Sequence, residues 1–255
     1  VRTDLSVANW RGDRNQPNTL ALLLWKMMMP AVVLFDIDGT LIRRSGPHHR
    51  QALEEAARRV MGLEVSTQGV PVQGMLDPKI FECMLTQVGA SRNAIRRAMP
   101  ELVEQAQRIY EANSPQSLRR RVCPGARMLL YRLRQRGIPT GLVTGNLTRI
   151  AWRKMERAGL AHYFSFGAFA EQAADRAGLV RIALRHARRE GWLSRQTRLW
   201  LIGDHENDVR AARANAIGSV AVATGLSSRE ALAECEPDVL VDDLRALDVR
   251  QLVEQ

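Results

Sequence analysis

Ten residues constrain this chain more than any other stretch: Val32-Val33-Leu34-Phe35-Asp36-Ile37-Asp38-Gly39-Thr40-Leu41. Four apolar residues in a row read as a buried strand, and Asp-x-Asp-Gly-Thr follows at once. Carboxylates at the end of a buried strand cost desolvation unless something pairs them. In open α/β sheets that end of a strand is where ligands bind. A cation held between Asp36 and Asp38 would settle the electrostatics. The same run of residue types also occurs in calcium loops and hairpin turns, so the rest of the chain has to supply the partners.

Beyond this stretch the pattern turns helical. His48 to Met61 carries apolar or small residues at Ala52, Leu53, Ala56, Ala57 and Val60, a helical spacing, and Gly62 stands where such a helix stops. Asp77-Pro78 reads as an N-cap followed by proline at the first helical position, with helix over Ile80 to Val88. Ser91 to Met99, broken by Pro100, and Glu101 to Asn113 read as two further helices. Residues 46–118 are therefore expected to form a mostly helical insert. Ala126 to Arg136 is predicted amphipathic, with Met128, Leu129 and Leu133 inward.

From Pro139 onward, apolar strands alternate with helices. Strands are predicted over Pro139 to Thr144, Tyr163 to Phe169, Arg198 to Gly203, Ser219 to Ala223 and Asp238 to Val241. The helices between them are predicted over Leu147 to Ala158, Arg176 to Glu190 and Val209 to Ala214. Such alternation means a parallel sheet wrapped by helices, with right-handed crossovers. Three of the strands end in Asp-x-Asp, in Thr144-Gly145-Asn146, and in Gly203-Asp204 with Asp208 four residues on. In a parallel sheet those ends share one edge, so the carboxylates and the hydroxyl converge.

In this order, the motifs resemble those of the haloacid dehalogenase superfamily, and within it the phosphoglycolate phosphatase-like branch. The first stretch resembles its motif I. The resemblance implies that Asp36 is a nucleophile taking the phosphoryl group, that Asp38 protonates the leaving oxygen and then activates water, and that the Asp38 carbonyl ligates magnesium. Leu142-Val143-Thr144-Gly145-Asn146 resembles motif II, which implies that the Thr144 hydroxyl holds a phosphoryl oxygen. Gly39, Thr40, Gly145 and Asn146 are the expected substrate-binding residues; on its own, Thr144 could equally cap the following helix.

Motif III ordinarily supplies a lysine, and this chain departs from that pattern, since none follows Lys154. Arg176, in Asp175-Arg176-Ala177-Gly178-Leu179-Val180, is the expected substitute, with Arg181 second. A guanidinium can do the same task with a planar fork and a permanent charge. Leu199 to Asp204 with Asp208 resembles motif IV, which implies that Asp204 ligates magnesium directly and Asp208 ligates through water or orients the loop. Asn207 is a candidate cap of the next helix, and His205 is expected to meet solvent or the insert. The expected metal set is Asp36, Asp38, Asp204 and Asp208, around Mg2+.

The resemblance implies a Rossmann-like α/β fold: a parallel sheet core with helices on both faces and an inserted helical cap domain. The expected division is a core of residues 29–45 and 119–255 and a cap of residues 46–118. Residues 1–28 are expected to be an N-terminal extension, disordered or foreign to the native protein. Met27, Met28 and Met29 stand where many relatives begin, and Val1 then reads as a literal translation of an alternative start codon.

The branch is further suggested by Gly74-Met75-Leu76-Asp77 in the insert and by Val222-Ala223-Thr224-Gly225, Glu230, Leu232 and Pro237-Asp238-Val239 near the end. Dehalogenases generally lack the second aspartate of motif I, so Asp38 argues against that chemistry. The expected activity is hydrolysis of a small phosphorylated metabolite. A phosphomutase of the β-phosphoglucomutase type shares every core motif and stays open, as does a non-catalytic binding protein on this fold.

Composition excludes other classes. Net charge is +10, carried by arginine, with lysine only at Lys26, Lys79 and Lys154. The arginines are spread along the chain with no basic tail, so a solvated basic surface is favoured over nucleic-acid binding. Cys83, Cys123 and Cys235 lack metal spacing, which points to a reducing compartment and a cytoplasmic protein. The longest apolar run, Leu20 to Phe35, is interrupted by Lys26 and Pro30, so no membrane span is expected.

Overall fold

The computed structural model describes residues 30–43 and 46–254. The expectation for residues 1–28 lies outside them, as does Arg44. Six parallel strands form one sheet: β1 (Ala31–Phe35), β2 (Thr140–Val143), β3 (Phe166–Ala168), β4 (Arg198–Gly203), β5 (Gly218–Val222) and β6 (Val239–Val241). Their order is β3-β2-β1-β4-β5-β6. The chain builds outward from β1 to one side, then returns to β4 on the other. This reversal opens a crevice at the carboxyl ends of β1 and β4. Phe35 pairs with Leu142 of β2 and with Ile202 of β4. Asp36, Thr144 and Asp204, which leave these three strands, therefore emerge on one edge.

All five side chains of β1 are buried, because helices cover both faces of the sheet. Alternation sends Val32 and Leu34 to one face, where α6 (Arg176–Arg189) supplies Leu179, Val180 and Ala183. Ala31, Val33 and Phe35 go to the other, where α4 (Ala126–Gln135) supplies Leu129, Leu130 and Leu133. Met128 does not join them; it is exposed beside Tyr131 on the outer face of α4. One residue per 100° of helix carries it out of the stripe that Leu129 and Leu133 define.

Residues 46–118 carry three helices: α1 (His48–Met61), α2 (Asp77–Gln87) and α3 (Arg92–Asn113). Gly62 ends α1 in the left-handed region, at φ 66°. The predicted break at Pro100 is absent, and α3 runs through it as one helix. Pro100 is exposed, so the carbonyl its ring deprives of a donor can bond to water. Ile95 before it and Leu102, Ala106 and Tyr110 after it are buried in one cluster with Ala52, Leu53 and Ala56 of α1, which holds the two halves in line. The chain enters and leaves this unit through adjacent segments, with the Arg43 amide donating to Arg121 and the Cys123 amide to Leu41.

The remaining helices are α5 (Thr148–Ala158), α7 (Glu206–Arg213), α8 (Arg229–Glu234) and α9 (Val249–Val253). Among the described residues, no helix is long and apolar enough to cross a membrane.

Candidate active site

Asp36 follows β1 directly and is buried, with its amide held by the Ile202 carbonyl. Arg176 opens α6, a helix capped by the Asp175 side chain, which accepts from the Gly178 amide. Its Nη1 lies 3.1 Å from Asp36 Oδ1 and 2.7 Å from Asp208 Oδ1. The position expected to replace the motif III lysine thus bridges two of the expected acids. Burial opposes the guanidinium charge, but Asp208 and Asp36 outweigh it and hold the group cationic.

Asp36, Asp204 and Asp208 each bring one carboxylate oxygen within 4.8 Å of the others. Burial drives the Asp204 carboxyl well above its ordinary range, and the charges of Asp36 and Asp208 add to this. Burial likewise carries Asp208 to about 7, with Arg176 opposing and Asp36 reinforcing the rise. Three acids around one arginine leave negative charge uncompensated. In addition, Asp36 Oδ1 is buried, and Arg176 meets it as an ion pair without the alignment of a hydrogen bond. An all-oxygen donor set whose charge one arginine does not balance fits a hard divalent ion such as Mg2+.

Small residues make room for this cluster. Gly39 has φ +89°, and a Cβ there would overlap the Asp204 carboxylate. Gly39 lines the expected cavity, but its amide donates to Ile42 and its carbonyl accepts from the Thr224 hydroxyl, 2.5 Å away. Thr40, expected to touch substrate, is fully buried, and its hydroxyl donates to Asp204 Oδ1 at 3.0 Å. The turn after Gly39 folds its side chain under the carboxylate, so Thr40 orients an acid instead of meeting a ligand.

Asp38 does not join the three-acid cluster with its side chain. Its carboxylate points to Lys154, whose Nζ lies 2.6 and 2.8 Å from the two oxygens. Asn146 Nδ2 donates to Asp38 at 2.8 Å and to the Thr144 hydroxyl at 2.8 Å. Burial pushes the Asp38 carboxyl up, yet Lys154, His49 and Asn146 together pull it down to about 2. Thr144 is fully buried, and its oxygen accepts from the Asn146 amide as well, which leaves its O–H to donate. The two carboxylates of one Asp-x-Asp are therefore held by different cations.

Lys154 escaped sequence reasoning, which looked for a lysine only beyond it. A signal existed. Ile150, Ala151, Met155 and Ala158 form the buried stripe of α5, and Lys154 falls inside that stripe.

The insert meets this site along Gly74 to Asp77. Asp77 is not the N-cap of α2, a position taken by Leu76. Its backbone is already helical, which frees the carboxylate to accept from the Leu147 amide and from His49 Nε2, both at 2.9 Å. Its own amide donates to the Gly145 carbonyl. A Cβ at Gly145 would collide with the Met75 carbonyl, so that glycine permits close approach of the insert. His205, not Asn207, caps α7: its Nδ1 accepts from the Asn207 amide, and burial holds the imidazole below its ordinary range. Asn207 instead donates to the Gly74 carbonyl at 3.1 Å. As expected, His205 meets the insert, at Gly74.

Between the insert and the sheet edge lies a cavity of about 930 Å³ containing Asp36, Asp38, Asp204 and Arg176. Arg43, Arg50 and Arg121 also line it, and none makes an ion pair among the described residues. Lys79 lies outside it and pairs with Glu82.

A family model described as haloacid dehalogenase-like hydrolase matches residues 30–215. The chain is 27% identical over 222 residues to the phosphoglycolate phosphatase of Vibrio cholerae, covering 85% of this chain and 94% of that one. It is 29% identical over 229 residues to the phosphoglycolate phosphatase of Agrobacterium fabrum, covering 85% and 90%. Among solved structures, β-phosphoglucomutase of Clostridium difficile superposes with a TM-score of 0.64 at 19% identity, covering 88% and 95%. A "predicted phosphoglycolate phosphatase" of Haemophilus somnus superposes with a TM-score of 0.61 at 18% identity, covering 85% and 96%.

Proposed function

The chain belongs to the haloacid dehalogenase-like hydrolase family, and we propose that it is a magnesium-dependent phosphatase that hydrolyses a small phosphomonoester through an aspartyl-phosphate on Asp36. The observation that carries this reading is the convergence of Asp36, Asp204 and Asp208 with Arg176 on one cavity, three carboxylates around a single guanidinium.

In this mechanism Asp36 attacks phosphorus in line with the leaving oxygen. Arg176 neutralises charge on the nucleophile and the phosphoryl oxygens, and the Thr144 hydroxyl donates to one of those oxygens. Asp38 is the acid–base group of both steps: Lys154, His49 and Asn146 keep it ionised in the free protein, so it gives a proton to the leaving alcohol only after the bound phosphomonoester has brought one to it, and it takes a proton from the water that attacks the phosphorylated Asp36. Asp36, Asp204, Asp208 and the Asp38 carbonyl would hold Mg2+, which when bound offsets the negative charge of the transferring group. Thr40 and Gly39 keep Asp204 in place. Residues 46–118 act as a cap over the core of residues 29–45 and 119–255, excluding water during transfer.

For the substrate we favour a phosphomonoester carrying a second anionic group, of which phosphoglycolate is the simplest example. Two facts support it: the sequence relatives named above, and the arginines Arg43, Arg50 and Arg121 lining the cavity, which make no ion pair among the described residues. The test is phosphate release from phosphoglycolate and from a panel of other phosphomonoesters, with Mg2+ or with EDTA. Phosphoglycolate turnover that needs Mg2+ and vanishes in Asp36→Asn is expected. Isomerisation of a sugar 1-phosphate faster than its hydrolysis would replace this reading with a mutase.

A further inference from the structure

We propose that Lys154 is a positioning residue for Asp38: from inside α5 it fixes the carboxylate that exchanges protons with leaving group and water, and through His49 it ties that carboxylate to the cap. This deepens the phosphatase reading above and rests on it.

Lys154 is wholly buried. A buried ammonium is costly unless every donor finds an acceptor. Here Nζ has three kinds of acceptor in reach: the Asp38 carboxylate, Asn146 Oδ1 at 2.6 Å, and His49 Nδ1 at 3.2 Å. His49 lies between the two units, with Nδ1 beside Lys154 and Nε2 beside Asp77. The partners come from the loop after β1, the loop after β2, and α1 of the cap. A buried ion pair taken as a whole adds little to stability, since apolar side chains of like volume often serve as well, although removing Lys154 alone strands the Asp38 carboxylate. What it supplies is one orientation for Asp38. That orientation is completed only while His49 and Asp77 are seated as they are in this structure. Arg176 cannot substitute, because it is committed to Asp36 and Asp208.

A double-mutant cycle on phosphoglycolate and Mg2+ tests this. Lys154→Met is expected to lower kcat by about 100-fold, on the order of a lost acid–base contribution, with KM changed less than about twofold. In an Asp38→Asn background the same substitution is expected to cost nothing further, because a residue acting through another has no effect once that other is gone. If Lys154→Met loses its cooperative melt, Lys154→Arg enters the cycle instead. It keeps the charge while moving its donors off Asp38, and the same lack of additivity is expected. Unchanged kcat in the single variant, a loss carried by KM, or a loss that repeats in the Asp38→Asn background each overturns the inference. An active wild type with one of these results removes the inference alone. A wild type without phosphatase activity removes the reading beneath it as well.

Discussion

The Asp77 carboxylate accepts a hydrogen bond from the Leu147 amide at 2.9 Å, across a sequence separation of 70 residues. An acid from the helical insert thus binds the amide of Leu147, the residue just before the first turn of α5 in the core, near the positive end of that helix. The same oxygen also receives His49 Nε2, so one side chain joins the insert to the loop that follows β2.

Removing that acid should loosen the joint. Asp77→Ala leaves the Leu147 amide and His49 without their partner and is expected to destabilise the protein by about 1–3 kcal/mol, the usual cost of a buried donor left unsatisfied. Urea denaturation against wild type measures this. Activity should fall too, since His49 then no longer holds its place beside Lys154. A variant with wild-type stability and turnover would contradict the joint.

Thr40→Val tests the reassigned threonine. The substitution keeps the shape and removes the hydroxyl that donates to Asp204. Because partners of metal-binding groups typically tune affinity, activation by Mg2+ should require about 10–100-fold more metal, with little change in KM for the phosphomonoester. A rise confined to the substrate KM would return Thr40 to the substrate-binding set.

Metal dependence of stability should follow pH with a definite sign. Asp208 rises from 3.8 to about 7 on folding without metal, mainly through burial, and Asp204 rises as well. The folded chain then binds more protons than the unfolded one between these values, so metal-free stability falls as pH rises from about 4 to 7. Asp38 has the opposite sign, being depressed to about 2 against burial by Lys154, His49 and Asn146. Its stabilisation is present above about 4 and is lost only in more acid solution. Melting in EDTA should therefore drop between pH 5 and 8. At one fixed concentration, about 100 times the dissociation constant at pH 8, Mg2+ should raise Tm by roughly 5–10 °C at pH 8, and by less at pH 5, where protons compete for the acids. Equal gains at both values would contradict the charge-crowded cluster.

The rim arginines predict selectivity. Arg50→Ala should raise KM for phosphoglycolate by about tenfold, the order of one charge-assisted hydrogen bond. KM for p-nitrophenyl phosphate, which has no second anion, should stay unchanged. Equal effects on both would remove the second anionic group from the account.

The sheet and the convergent acids were legible because each motif is local: an apolar run, then polar residues at the strand's end, with the order of the runs fixing which ends meet. Arg176 was found by its place at the start of α6. Less legible were features decided by contacts across the chain. Asp77-Pro78 has the letters of a helix cap, yet its carboxylate serves another helix. Pro100 has the letters of a break, yet packing of Ile95 and Tyr110 on α1 carries the helix through. Lys154 is the least legible of all: its place in the α5 stripe marks it as buried, but its acceptors come from loops far away in the sequence.

Acid quenching during turnover of phosphoglycolate with Mg2+, followed by peptide mass analysis, tests the central claim most directly. The account predicts a phosphoryl group on the peptide bearing Asp36 and none in Asp36→Asn, which should lose turnover by about 10⁴-fold or more. Rapid turnover in Asp36→Asn, or a phosphoryl group trapped on a different residue, would contradict it.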